Sequence, residues 1–296
     1  MAKRRARPPL VTAGDAVRGA LAASVRRLKA NEPGIKHGRE PEAIHQARVA
    51  VRRLRSDLKS FRPFVDREWA DGLRQELRWL GGELGAVRDL DVLLARLRSD
   101  ARRADAAAGT DDPGLQLLFS RFRAERSAAR KVLLDGIGSP RYRALRERLA
   151  QAASDPDLTV AARMPAADGL TPIVKRRWKR LRAAVEALPR RPAARALHRI
   201  RILAKRCRYA AEGAIDVIGP EAKTFSDAAA ALQNALGELN DAEVARAKLR
   251  RCARDVHMTI AARNLLALET NASAIARRDW PIAWRALDDK RLRSWL

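Results

Sequence analysis

Apolar residues return every three or four positions along almost the whole chain, and alternating β-branched runs are scarce. That spacing fits one face of an α-helix, with about 3.6 residues per turn, rather than the two-residue period of a strand. Alanine, leucine and arginine dominate the sequence, and all three are good helix formers. The chain is therefore expected to be all-α. With 296 residues, 47% of them hydrophobic, it can bury one large core or two cores of ordinary size.

Proline and glycine mark the breaks. Ser139-Pro140 and Thr171-Pro172 each set a capping hydroxyl before a proline at the first helical position, so helices are expected to start there. Residues 32–43 (EPGIKHGREPEA) and 111–114 (DDPG) read as loops. The longest polar stretch punctuated by proline and glycine runs from about 154 to 171, near the middle of the chain. The expected organisation is a basic disordered tail over residues 1–9 and a single domain over 10–296. Within that domain a first helical repeat covers about 10–153 and a second about 172–296, joined by the linker.

The two halves repeat one another. His45, Arg48, Arg52, Arg53 and Arg55 correspond to His198, Arg201, Lys205, Arg206 and Arg208, each 153 residues further on. Upstream, RRLK (26–29) matches KRLR (179–182) at the same offset. Downstream, LGAVRDLDV (84–92) matches LGELNDAEV (236–244) at an offset of 152. Three blocks in one order point to an internal duplication. With about four helices per half, the expected architecture is two four-helix bundles related by a pseudo-twofold axis.

The repeated block has a distinct pattern of charge. At about 100° per residue, His45, Arg48, Arg52, Arg55 and Lys59 fall within roughly 80° of helix circumference. Ala47, Ala50, Val51, Leu54, Leu58 and Phe61 occupy an adjoining arc about 100° wide. The second block divides in the same way. His198, Arg201, Lys205 and Arg208 form the row, and Ile200, Leu203, Ala204, Cys207 and Ala211 form the apolar face. Solvated amphipathic faces usually mix signs through i,i+4 pairs. Here Asp57 lies off the first row and only Glu212 approaches the second. A row of like charges suits an extended anion running alongside, since arginine grips phosphate oxygens in pairs and lysine supplies a mobile point charge.

Overall charge narrows the partner. Lys and Arg number 61 against 35 Asp and Glu, a formal net charge of +26. Repulsion on that scale weakens a compact state unless an anion offsets it, so the partner is expected to be nucleic acid, an anionic membrane surface or a phosphate polymer. No segment approaches the length of an apolar membrane span, and no signal peptide is readable. The two cysteines, Cys207 and Cys252, have no paired spacing, which fits a reducing, cytoplasmic compartment and gives no Cys-based metal site. Cys207 sits on the apolar arc and reads as a core residue.

IHQARVAVRRLRSDLKSF (44–61), LHRIRILAKRCRYAAE (197–212) and LGAVRDLDV resemble the repeated signatures of the CHAD family, the conserved histidine α-helical domain. The resemblance covers the chain from about residue 10, in the correct order and in both halves. It implies two four-helix bundles around a basic central channel that binds inorganic polyphosphate. It further implies that His45, Arg48, Arg52, Arg53, Arg55, His198, Arg201, Lys205, Arg206 and Arg208 face the ligand or lie near it. Arg53 and Arg206 sit about 80° from their histidines, off the main row. Many relatives carry a triphosphate-tunnel (CYTH) domain as well; this chain is expected to stand alone. The second LGELNDAEV has Asn240 where the first has Arg88, so the halves differ chemically.

Arg26, Lys29, Lys179 and Arg182 recur on the helix before each signature and could widen the basic surface. Asp89 and Asp241 are expected to hold arginines of the two rows in place. His37 and His257 read as solvated, and the six tryptophans as packing residues. No nucleophile elbow, phosphate-cradling glycine loop, metal-ligand cluster or paired catalytic carboxylates can be read. The expectation is therefore a binding protein without catalytic residues, metal or cofactor, associated with polyphosphate granules. Nucleic acid is the secondary partner. The rows offer it few aromatics for stacking, Tyr209 alone lying near one, and few side chains besides Gln46 for reading base edges.

Overall fold

The computed structural model describes residues 11–37, 41–105 and 112–296. Among them ten α-helices follow one another: α1 (Ala13–His37), α2 (Pro41–Ser60), α3 (Arg67–Asp105), α4 (Pro113–Gly138), α5 (Pro140–Ser154), α6 (Ala166–Glu186), α7 (Ala194–Glu212), the short α8 (Ile215–Ile218), α9 (Pro220–Cys252) and α10 (Thr259–Leu287). The only β-type pairings among these residues are two isolated bridges, Thr12 with Pro165 and Val65 with Leu158. The all-α expectation holds. The expected basic tail, residues 1–9, lies outside the described residues.

Local chemistry accounts for several helix ends. Ser139 Oγ accepts from Tyr142 N at 3.2 Å ahead of Pro140, as the sequence predicts for the start of α5. The Asp112 carboxylate accepts from Gly114 N and Leu115 N at 2.8 and 3.3 Å, so Asp112 caps α4, and Pro113 and Gly114 of the expected loop belong to that helix. Gly219, the one described glycine with positive φ (91°), turns the chain between α8 and α9, and Pro220 opens α9.

Two local expectations fail, for the same reason. The Thr171-Pro172 start is wrong, because α6 begins at Ala166 and Pro172 lies inside it. Ala166, Leu170, Ile173 and Val174 are all buried, and a Cβ on Gly169 would meet the Phe64 ring at 2.7 Å. Burial on one helical face outweighs the hydrogen bond that a proline forgoes. The expected linker therefore shrinks. What remains of it folds back on the domain, with Ala13 N donating to Met164 O and Thr159 N to Phe64 O. The expected loop at 32–43 is also largely helical, since α1 continues through Pro33 to His37 and α2 starts at Pro41. Ile35 is buried there, and the buried Glu32 accepts from Tyr142 Oη at 2.6 Å.

The packing joins the halves. One apolar core draws on both, from Leu21 on α1 and Leu54 on α2 to Val174 on α6, Ile200 on α7 and Leu232 on α9. A second, smaller core is built by Leu94 and Leu97 on α3, Phe122 on α4, Leu249 on α9 and Leu265 on α10. The long helices α3 and α9, 39 and 33 residues, take part in both. The molecule thus has a broad body, where α2 packs against α7, and a distal arm made from the far ends of α3 and α9 with α4 and α10.

Candidate anion-binding site

The apolar arc foreseen for α2 is the buried one. Ala47, Ala50, Val51, Leu54 and Leu58 are at most 1% exposed. On α7, Ile200, Ala204, Cys207 and Ala211 play the same part. Burial pushes the Cys207 thiol up, which keeps it protonated and fits its reading as a core residue. With these faces fixed inward, α2 and α7 bring their cationic rows toward one another.

The result is a cluster of cations without counterions. Among the described residues Arg52, Arg55, Lys59, Arg201, Lys205 and Arg206 make no ion pair within 4 Å, although all but Lys59 are part-buried. Burial and neighbouring cations are felt in the proton affinities of four of them, Arg55, Lys59, Arg201 and Lys205. Burial, with Arg52, Arg201, Arg48 and Arg206 nearby, lowers Lys205 from 10.5 to about 7. Lys59 is lowered by burial and by Arg206, Arg177, Arg74 and Arg180. Arg55 is lowered by burial and by Arg78 and Arg74, and Arg201 by burial with Arg52 and Arg48 against a partial offset from Asp241. Burial and Arg88 lower the proton affinity of His45 from that of a free imidazole, which favours its neutral form.

Each histidine–arginine pair rests on a long neighbouring helix, α3 for His45 and Arg48 and α9 for His198 and Arg201, with different contacts. Arg48 Nη2 reaches Asp89 Oδ1 at 3.1 Å, as expected for that carboxylate. Arg201 lies over Gly237, and Asp241 acts on it through space without an ion pair within 4 Å. His198 Nδ1 donates to Asn240 Oδ1 at 2.6 Å, the amide being turned by its own bond from Nδ2 to Asp241 Oδ1 at 3.2 Å. In the first half, Arg88 stands at the position of Asn240 and acts on His45 by repulsion.

Other expected site residues have partners of their own. Arg53 is ion-paired with Glu212 and with Asp57, the latter at 3.4 Å. Arg208 Nε donates to Glu212 Oε1 at 2.6 Å. These two flank the site and leave less of their charge for a ligand. Arg52 Nε donates to Tyr209 Oη at 2.8 Å, and the guanidinium groups of Arg52, Arg53 and Arg208 lie 5.5–5.9 Å from the Tyr209 ring centre. Next to them an open cavity of about 610 Å³ is lined by His45, Arg52, Arg53, Arg208, Arg27 and Lys223 among others.

Of the wider basic set, Arg26, Lys29 and Lys179 are exposed, and Arg182 pairs with Glu186 at 2.8 Å. The residues that do join the cluster are Arg74 and Arg78 on α3 and Arg177 and Arg180 on α6. Their signal in the sequence was an arginine every third or fourth position on helices flanking the rows. Trp178 is buried against Phe225 and Trp284 and offers no face for a base. No described group of three or more His, Cys, Asp or Glu side chains is placed to hold a metal.

An all-helical body with a cationic centre assembled from α2 and α7 defines the class of fold. Residues 19–250 match the CHAD domain, and the chain belongs to that family. Among solved structures it is similar to PptA from Streptomyces chartreusis, at 27% identity and a TM-score of 0.78, covering 93% of this chain and 99% of that one. It is also similar to the CHAD domain from the plant Ricinus communis, at 28% identity and a TM-score of 0.71, covering 97% and 96%. Comparison with curated proteins finds no match.

Proposed function

We propose that this protein binds inorganic polyphosphate at the cationic centre between α2 and α7, holding the chain without cleaving it. The observation that carries the reading is the set of cations with no ion pair within 4 Å among the described residues, the part-buried Arg52, Arg55, Arg201, Lys205 and Arg206 and the exposed Lys59; burial and neighbouring cations lower the proton affinities of Arg55, Lys59, Arg201 and Lys205 in the free protein. A folded protein bears such repulsion where an anion relieves it. Polyphosphate carries charge at close, regular spacing and needs no ring or base reader, and Tyr209 and Trp178 are both buried. The association of the CHAD family with polyphosphate supports the same choice. Binding would bring the protein, or partners it carries, to polyphosphate granules in the cytoplasm.

The test is a titration of long-chain polyphosphate into wild type and the double variant Arg48→Ala/Arg201→Ala, with excess duplex DNA, at two salt concentrations. Binding that survives DNA, weakens steeply with salt and collapses in the variant is expected. Equal displacement by DNA, with the variant unaffected, would replace polyphosphate by nucleic acid as the ligand.

A further inference from the structure

Helices α2 and α7 each carry His-x-x-Arg, and the helix facing each carries glycine and aspartate four residues apart: Gly85 and Asp89 on α3, Gly237 and Asp241 on α9. Glycine within a helix is poorly suited to it, having more freedom to lose than any other residue. Gly85 is nonetheless buried near the middle of the 39-residue α3. What lies over it is one side chain. A Cβ built there would stand 2.5 Å from Arg48 Nη1, 3.4 Å from Cζ and 3.9 Å from Nη2.

We infer that Gly85 is a positioning residue for the anion site: its bare backbone is the seat on which the Arg48 guanidinium lies, one turn before the carboxylate that clamps it. Arg48 Nη1 is buried against this seat with no hydrogen-bond partner among the described residues, while Nη2 reaches Asp89. The position of the guanidinium is thus set by contact on one side and by charge on the other. Any side chain at residue 85 pushes the flexible end of Arg48 away and leaves the helix backbone untouched.

The second half supplies a control. At Gly237 a Cβ would stand 3.6 Å from Arg201 Nε and 3.8 Å from Nη2, ordinary contact distances. Alanine fits there. Gly82, on the same helix as Gly85, has nothing within 4 Å of its Cβ position and measures the effect of helix propensity alone. The same glycine is therefore required in one half and dispensable in the other.

The consequence for binding rests on the polyphosphate reading above; the positioning itself does not. The experiment compares Gly85→Ala, Gly82→Ala and Gly237→Ala in the full chain by two readouts. The first, without ligand, is the Nε–Hε NMR resonance of Arg48, which Gly85→Ala should shift and expose to faster exchange, with Gly82→Ala leaving it in place. The second is polyphosphate affinity, expected to fall about tenfold in Gly85→Ala, the loss of one charge-assisted contact, and to stay within about twofold in the other two. In an Arg48→Ala background Gly85→Ala should cost nothing further, whereas damage to the fold would add to the loss. Thermal midpoints should not fall in any glycine variant. An unmoved Arg48 resonance, or an affinity loss that persists without Arg48, overturns the inference. A wild type that binds no polyphosphate contradicts the proposed function, and the resonance still decides the role of Gly85.

Discussion

The body and the distal arm handle the same arginine-rich composition in opposite ways. In the arm, cations meet carboxylates. Arg96 donates to the fully buried Glu269 at 2.6 Å and pairs with Glu238 at 3.0 Å. Arg126 pairs with Asp91, Lys248 with Glu125 at 2.9 Å, and Arg246 with Glu243 at 2.7 Å. At the crossing of α2 and α7, cations face cations and Lys205 drops to about 7. Arginine in the arm helps hold helices together. In the body, Arg48, Arg53 and Arg208 have carboxylate partners at the edge of the cluster, while Arg52, Arg55, Arg201 and Arg206 have none within 4 Å among the described residues.

The contrast can be broken from either side, beginning with the arm, where the largest effect is expected. Arg96→Ala leaves the buried Glu269 without its cation and should destabilise the fold by about 3 kcal/mol in urea unfolding, with polyphosphate affinity unchanged. Lys205→Met does the reverse. It removes one member of a repelling group, so stability should hold or rise by about 1 kcal/mol while affinity falls on the order of tenfold.

The pH dependence should follow the same division. Lys205 is lowered on folding, from 10.5 to about 7, so between those values the unfolded chain binds more protons than the folded one. Stability of the free protein should therefore rise with pH across that window. Saturating polyphosphate should flatten the slope, and calorimetry in buffers of different ionisation enthalpy should detect proton uptake on binding near pH 7 to 8. Smallest of all is Arg182→Ala. Its pair with Glu186 is exposed and one helical turn long, so both stability, within about 0.5 kcal/mol, and affinity should stay level.

Much of this contrast is legible in the sequence. The rows on α2 and α7 are written in helical period, and the buried arcs fix which way each row faces. That Asp89 holds an arginine of the first row was also expected, and Arg48 is that arginine, whereas the matching Asp241 makes no ion pair within 4 Å with Arg201. Local punctuation is less dependable: Pro172 and Pro33 both lie inside helices because neighbouring residues are pulled into the core from outside the segment. The pairing of Arg53 with Glu212, and the arrival of Arg74, Arg78 and Arg177 beside the rows, depend on how helices cross, whereas Arg208 and Glu212 are one turn apart on the same helix. Periodicity along one helix does not carry that information. Gly85 and Gly237 were visible in both blocks, but their role needs the arginine that lies above them.

The most direct test removes two charges from each region and compares. Arg52→Ala/Lys205→Ala empties part of the body's cluster, and Arg126→Ala/Lys248→Ala removes the same residue types, one arginine and one lysine, from the arm. Polyphosphate affinity should fall by about a hundredfold or more in the first and stay within about threefold in the second. Equal losses in the two variants would contradict the account, because the protein would then be reading net charge and not the site between α2 and α7.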